Sequence, residues 1–157
     1  MRFFKLFIFA VIISGMLSCS HREVFFKYRS FAEAKWYQDD SVVFDVEIKD
    51  SSHPYDLAFE IRNTAAYPFS NICLYIDCKM PDGNSFNDSI NRNLADNSGK
   101  WLSKGLSLYN RSLPYKPPVA LFSDTGRYVV TIRQAMQLNP LKGISDIGLR
   151  VSKKVDK

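Results

Sequence analysis

The stretch NICLYIDCKM, residues 71–80, carries the clearest structural signal in the chain. Its even positions share one face of an extended segment and are mostly apolar: Ile72, Leu74, Ile76, Cys78, Met80. This period of two is typical of a β-strand with one buried face. Pro-Asp-Gly-Asn follows at 81–84 and indicates a tight turn. The sequence therefore predicts a hairpin, in which the strand at 71–80 pairs with a strand that contains Phe86 and Asp88.

The same stretch contains two of the three cysteines, Cys73 and Cys78. An offset of five residues places their side chains on opposite faces of a strand, about 16 Å apart. A disulfide needs Cα atoms within about 7 Å of each other, so we expect no bridge between them. The diverging thiols also lack the Cys-x-x-Cys spacing of metal sites. We therefore expect no metal site at these cysteines.

Period-two patterns continue on both sides of this hairpin. The further strands predicted from them are 42–48, 57–61, 106–113, 126–133 and 147–151. Residues 91–105 are polar and predict a long loop, and Pro114 is expected to break the strand before it. No convincing amphipathic helix follows the N-terminal segment. Seven to eight short strands predict an all-β fold, an antiparallel sandwich of the immunoglobulin-like or jelly-roll-like kind.

The chain begins with a basic, then apolar segment, MRFFKLFIFAVIISGMLSCS, at residues 1–20. Its apolar run is shorter than the roughly 20 residues of a membrane-spanning helix and has the layout of a secretory signal peptide. The segment ends in Met-Leu-Ser-Cys at 16–19, which resembles the lipobox of bacterial lipoproteins. The resemblance implies that Cys19 receives a diacylglycerol and becomes the acylated N-terminus after cleavage.

Three parts are predicted from this layout. Residues 1–18 are a lipoprotein signal peptide, residues 19–41 are the lipidated cysteine and a weakly patterned tether, and residues 42–157 are the β-sandwich. The sequence after Cys19 lacks the acidic run of some surface-exposed lipoproteins, which favours anchoring to the outer membrane with the domain facing the periplasm. Cell-envelope anchoring through lipid is thus the expected localisation.

Charge argues against a nucleic-acid partner. The formal net charge of +5 falls to +3 when the leader, with Arg2 and Lys5, is removed. The remaining charges are interspersed, whereas a nucleic-acid-binding protein is expected to carry a basic stripe.

Candidate catalytic groups are few. The two histidines are His21, beside the predicted anchor, and His53, in a predicted turn. Asp124-Thr-Gly126 has the form of an aspartic-protease signature, but that chemistry needs two such aspartates that share a proton. A turn before the strand at 126–133 is the better interpretation. A calcium site built from Asp88, Asp96 and Asp124 is a weaker alternative, since calcium takes six to eight oxygen ligands. We expect no enzymatic activity.

Aromatic side chains in predicted loops are the more informative candidates, because exposed aromatic rings favour interfaces. They either bind a partner or a glycan, or cap the sandwich core. The candidate residues are Tyr67, Phe69, Trp101, Tyr109 and Tyr115.

Several loop motifs occur in a fixed order along nearly the whole chain. They are Arg62-Asn63, Tyr67-Pro-Phe-Ser-Asn71, Leu94-Ala-Asp96, Gly99-Lys-Trp101, Gly126-Arg-Tyr128, Gln134-Ala-Met136 and Leu141-Lys-Gly-Ile-Ser-Asp-Ile-Gly148. Together with the lipobox, this ensemble resembles the gliding motility lipoprotein GldH family of Bacteroidetes.

The resemblance implies an exported lipoprotein linked to gliding motility, a process that shares components with type IX secretion. It implies no enzymatic activity and no cofactor. We therefore expect a structural or interaction component whose partners are the membrane, through its lipid, and other envelope proteins. The alternative is a glycan- or peptidoglycan-binding sandwich that uses the loop aromatics.

Overall fold

The computed structural model describes residues 22–117 and 121–154. The strands are β1 Glu23–Ser30, β2 Lys35–Trp36, β3 Val42–Ile48, β4 Tyr55–Thr64, β5 Asn71–Lys79, β6 Ser85–Asn93, β7 Leu108–Tyr115, β8 Gly126–Gln134, β9 Leu141–Lys142 and β10 Ile144–Lys153. A short 3-10 turn at Ala32–Ala34 separates β1 from β2. No helix in the described ranges has the length and apolarity needed to cross a membrane.

The strands form two four-stranded antiparallel sheets that pack into a sandwich. One sheet has the order β1-β10-β4-β7 and the other has the order β3-β8-β5-β6, while β2 and β9 form a small pair beside them. One continuous hydrophobic core lies between the sheets. The predicted all-β sandwich is confirmed, with more strands than the sequence indicated.

The predicted hairpin is formed by β5 and β6, which pair from Asn71–Asn93 to Lys79–Ser85. The even positions of β5 are buried, as the period of two requires. Cys78 is fully buried and Cys73 on the opposite face is partly exposed, and both thiols are free. Burial raises the pKa of the Cys78 thiol to about 11.

The predicted tether is wrong where the structure describes it. Glu23–Ser30 is β1, which pairs with β10, and Trp36 is fully buried and stacks on Phe31 at 4.8 Å. The alternation of apolar and polar residues is weak in this segment because aromatic rings cover both faces of β1. Phe25 packs inward on Phe44, whereas the outward rings of β1 lie beneath arginine side chains. The sandwich therefore begins by Glu23 and not at residue 42.

Pro114 does not end the strand before it, contrary to the sequence prediction. β7 continues through Pro114, which pairs with Ala58 of β4, to Tyr115. Proline lacks the N–H that a central strand would donate to its second neighbour. β7 is at the edge of its sheet and has no second neighbour there, so this strand accommodates the residue.

Strand register defines two ends of the sandwich. At the first, here called the Glu23 end, β1 and β4 begin and β7 and β10 finish. At the second, here called the Leu108 end, β7 begins beside Thr64, where β4 finishes. The ten residues of β10 run between these ends, which corresponds to about 30 Å at ~3.3 Å per residue.

Candidate interaction surfaces

Four of the five predicted aromatic residues meet at the Leu108 end. The ring centroids are 5.8 Å apart for Tyr67 and Phe69, 6.4 Å for Tyr67 and Trp101, and 5.5 Å for Trp101 and Tyr109. Tyr67 is buried, and the other three rings are partly exposed. These four residues, here called the aromatic cluster, join the core to the surface.

Backbone contacts position Tyr67 at the base of this cluster. Its hydroxyl donates to the Asn71 carbonyl oxygen at 2.8 Å, and Thr64 N–H donates to the Gly143 carbonyl oxygen at 2.8 Å. Gly143 has a φ of +87°, and a Cβ there would lie 2.5 Å from the backbone of Tyr67. Only glycine therefore allows this close approach. Burial also raises the pKa of the Tyr67 hydroxyl far above its ordinary value.

The loop between β6 and β7, residues 94–107, is held by its own hydrogen bonds. The Asp96 carboxylate accepts the Ser98 hydroxyl at 2.7 Å and the backbone N–H of Lys100 at 3.0 Å. These bonds, led by the one from the Ser98 side chain, hold the pKa of Asp96 below its usual range. Ala95 and Trp101 form a β-bridge across the turn. The loop thus presents Trp101 in a defined place.

Three exposed leucines lie on and beside this loop. Leu106 is 98% exposed, and Leu102 and Leu108 are about two-fifths exposed. The Tyr109 hydroxyl donates to the Leu106 carbonyl oxygen at 3.3 Å, so the loop contacts the aromatic cluster. These residues, here called the leucine patch, were not singled out from the sequence. No sequence pattern pointed to them, because Leu106 and Leu108 lie in the strand predicted at 106–113 and single exposed apolar residues are common on protein surfaces.

Tyr115 does not join the aromatic cluster. It is buried against Phe59, with ring centroids 5.3 Å apart, and its hydroxyl donates to Asp88 at 2.6 Å. Burial, with the Asp88 contact, raises its pKa far above the ordinary value. Tyr109 and Tyr115 are six residues apart on β7, or about 20 Å. Trp101, Tyr109 and Tyr115 therefore do not form one exposed platform.

The residues considered for catalysis lie in surface turns. His53 contacts both Ser52, at 2.8 Å, and Asp50, at 3.2 Å, through the same ring nitrogen, Nδ1. A serine triad needs both ring nitrogens, one for the serine and one for the aspartate. Asp50 also accepts a hydrogen bond from Lys153 at 2.6 Å. This arrangement is that of a turn held by hydrogen bonds, not of a triad.

Asp124 also lies in a turn, as the sequence interpretation predicted. Its backbone N–H and carbonyl are 3.2 Å and 3.1 Å from the Tyr128 hydroxyl. Asp124 lies at the Glu23 end, before β8, whereas Asp96 lies at the Leu108 end. Across residues 22–117 and 121–154, no group of three or more histidine, cysteine or acidic side chains is arranged to hold a metal ion. Cys19 and His21 lie outside the described residues.

The fold and these surfaces define the class: a small antiparallel β-sandwich domain with an apolar loop surface at one end. Comparison with known proteins gives the family. The family model described as GldH lipoprotein matches residues 23–151. The chain is 35% identical over 158 residues to a gliding motility lipoprotein GldH homolog from Christiangramia forsetii, covering 96% of each chain. It is 31% identical over 147 residues to gliding motility lipoprotein GldH from Flavobacterium johnsoniae, covering 88% of this chain and 90% of that one.

The chain therefore belongs to the GldH lipoprotein family. Its class is that of gliding-motility lipoproteins, and the family places it in the cell envelope as a membrane-anchored protein. The match begins at Glu23, where β1 begins, and so includes most of the segment that the sequence had suggested was a tether.

Proposed function

We propose that this protein is a non-enzymatic component of the envelope machinery for gliding motility and type IX secretion. Lipid on Cys19 anchors it to the outer membrane, and the domain faces the periplasm. Its Leu108 end binds a protein of that machinery. Family membership supports the link to gliding motility, and the geometry of the sandwich supports the orientation.

The observation that carries this proposal is the distance along the chain from Cys19 to β1. Only residues 20–22 separate Cys19 from Glu23, the first residue of β1. Four Cα–Cα steps span at most about 14 Å when fully extended. The Glu23 end therefore lies against the membrane that holds the lipid. The Leu108 end lies about 30 Å further along the sandwich.

This orientation directs the aromatic cluster and the leucine patch away from the bilayer. Leu106 is almost fully exposed there, and Trp101 and Tyr109 are partly exposed. Aromatic and large apolar side chains are enriched in protein interfaces, and their exposure to water is unfavourable. A protein partner that covers this surface would remove that exposure.

Site-specific photo-crosslinking in the native envelope tests the proposal. A photoreactive amino acid replaces Leu106 at one end, Ser52 at the other, or the exposed Val43 on β3 as a matched control. We expect mainly protein adducts from position 106 and mainly lipid adducts from position 52. Position 43 should show no enrichment of either kind of adduct. Lipid adducts from position 106, or protein adducts spread equally over the three positions, would contradict the proposal. Labelling with radioactive palmitate, abolished by Cys19→Ala, tests the anchor separately.

A glycan-binding function is a second candidate, and the partly exposed rings of Trp101 and Tyr109 favour it. Sugars stack on such rings, but here the third ring of the predicted platform, Tyr115, is buried elsewhere. Titration with soluble peptidoglycan fragments, followed by tryptophan fluorescence, distinguishes the two functions. A fluorescence change that Tyr109→Ala abolishes would support glycan binding. No change at millimolar fragment would eliminate this candidate.

A further inference from the structure

A cleft follows one side of the sandwich, between the edge strands β6 and β7. Its volume is about 450 Å³, and the residues that line it include Arg92, Asn93, Leu102, Arg111, Leu113 and Pro114. On the other side of the sandwich the edges β1 and β3 are in contact, where the rings of Phe25 and Phe44 pack at 6.0 Å. The two sides therefore differ, and the β6–β7 side is the open one.

Two guanidinium groups give this cleft positive charge. Arg92 is exposed and donates to the carbonyl oxygen of its neighbour Asn91 at 3.0 Å. Arg111 donates from Nη1 to the Leu102 carbonyl oxygen at 2.9 Å, and its Nε is buried with no hydrogen-bond partner. In the described part of the chain, neither arginine pairs with a carboxylate.

Further along the same side, the Asp88 carboxylate accepts the Tyr115 hydroxyl and, among the described residues, forms no ion pair with either arginine. A carboxylate that entered the cleft would neutralise this positive charge, because guanidinium groups bind carboxylates in two-bond geometry.

The outer edge of β6 is suited to main-chain pairing. Within the described ranges, β6 pairs with β5 alone, over nine residues that include no proline, glycine or lysine. Edge strands are protected from pairing by proline, by a bulge or by charged side chains, above all lysine, and the charges on β6 are those of Asp88 and Arg92. β7 is obstructed by comparison, because it contains Pro114 and because Lys104 forms a bridge with Asn110. An incoming strand would therefore pair with β6.

We propose that this cleft binds an extended, acidic peptide segment of a protein partner. The segment adds to the sheet as a strand beside β6, which is a common mode of peptide recognition. Its carboxylates contact Arg92 and Arg111, and an apolar side chain packs on Leu102, which also belongs to the leucine patch. The inference rests on the proposed function in one respect, that the partner is a protein.

Hydrogen–deuterium exchange tests this binding mode with a defined probe. The probes are an end-blocked octapeptide that alternates Glu with Val, and its counterpart with Lys in place of Glu. The full-length lipoprotein, in detergent micelles, is mixed with each. We expect the acidic peptide to slow amide exchange in β6, while exchange in β3 is unchanged and the Lys peptide has no effect. Equal effects of both peptides, or slowed exchange in β3 and not β6, would overturn the proposal.

A charge-reversal pair gives the residue-level control. Arg92→Glu is expected to weaken binding of the acidic peptide at least about tenfold. Arg133→Glu makes the same charge change at an exposed position on β8, and is expected to change binding less than about twofold. Equal losses in the two variants would refute a local role for the cleft.

The peptide could also bind, compete with inorganic phosphate and leave amide exchange in β6 unchanged. That result would reduce the cleft to an anion site and overturn strand addition. Peptide binding does not depend on crosslinking at position 106, so failure of this inference and failure of the proposed function are separately visible.

Discussion

The rings of Trp101 and Tyr109 lie 5.5 Å apart between centroids, with 36° between their planes, and this contact joins the loop at residues 94–107 to β7. Trp101→Ala removes the contact together with packing on Tyr67. We expect it to lower the free energy of unfolding by about 2–3 kcal/mol, less than for a fully buried tryptophan, and to speed tryptic cleavage at Lys100 and Lys104. Trp101→Phe should keep most of the stability and most of the resistance to cleavage. Equal cleavage rates in wild type and Trp101→Ala would show that the ring contact does not hold the loop.

A glycine comparison tests the base of the aromatic cluster. Gly143 and Gly83 have nearly the same φ, +87° and +86°, but only at Gly143 would a Cβ meet backbone, that of Tyr67 at 2.5 Å. Gly83→Ala should cost about 1 kcal/mol, from backbone conformation alone. Gly143→Ala should cost about 3 kcal/mol or more, because the clash adds to the same strain. Chemical denaturation measures both values, and similar costs would contradict the proposed close approach.

A buried carboxylate on the outer face of the first sheet gives a third prediction. Glu60 is 2% exposed and accepts Arg150 Nε at 2.9 Å and the Ser112 hydroxyl at 2.9 Å. Arg150→Met leaves this charge without its cation, and should cost about 2–4 kcal/mol in the free energy of unfolding. The control is Arg127→Met, whose partner Asp45 is exposed like Arg127 itself, with an expected cost below about 1 kcal/mol. If the control costs as much, burial of Glu60 is not the cause.

Alkaline pH should destabilise the fold through Cys78. Burial raises the pKa of this thiol from an ordinary value of 9.0 to about 11. The pKa of Cys78 is higher in the folded state than in the unfolded state. The stabilisation that the protonated thiol gives the fold is therefore complete below pH 9 and is lost as pH rises from 9 to 11. Cys78→Val, which cannot ionise, should show a smaller fall in the melting temperature over that interval. Identical pH profiles would disprove the assignment.

Thiol reactivity provides a separate check on the same strand. At pH 8 the partly exposed Cys73 should react with iodoacetamide faster than the buried Cys78. Mass spectrometry of the folded protein measures the two rates. Faster modification of Cys78 would mean that the faces of β5 are assigned the wrong way round.

Most of the strands could be predicted from local pattern. Alternation identified β3, β4, β5 and β8, and the turn at residues 81–84 identified the β5–β6 hairpin. Alternation failed for β1, because rings on both of its faces hide the period of two. Proline misled the prediction for β7, since its effect depends on whether the strand is central or at an edge, and a single sequence does not show which.

The candidate site was predicted in part. Aromatic residues in polar loops drew attention to Tyr67, Phe69, Trp101 and Tyr109, which the fold brings together. Tyr115 has the same chemical character, but it faces the core at the opposite end of β7. The leucine patch and the arginines of the β6–β7 cleft carry no motif, so no pattern in the sequence distinguished them from ordinary surface residues.

The sequence by itself determined the β class, the hairpin, the divergence of Cys73 from Cys78 and the family resemblance. Alternation and turn chemistry are local properties of the chain, and the order of motifs can be read along it without knowledge of the fold. Only the tertiary structure decided the strand order β1-β10-β4-β7, which joins residues more than a hundred positions apart. That order places β1 in the sandwich, and so leaves three residues between Cys19 and the domain. Burial of a shared core selects such distant pairings, and no local pattern records them.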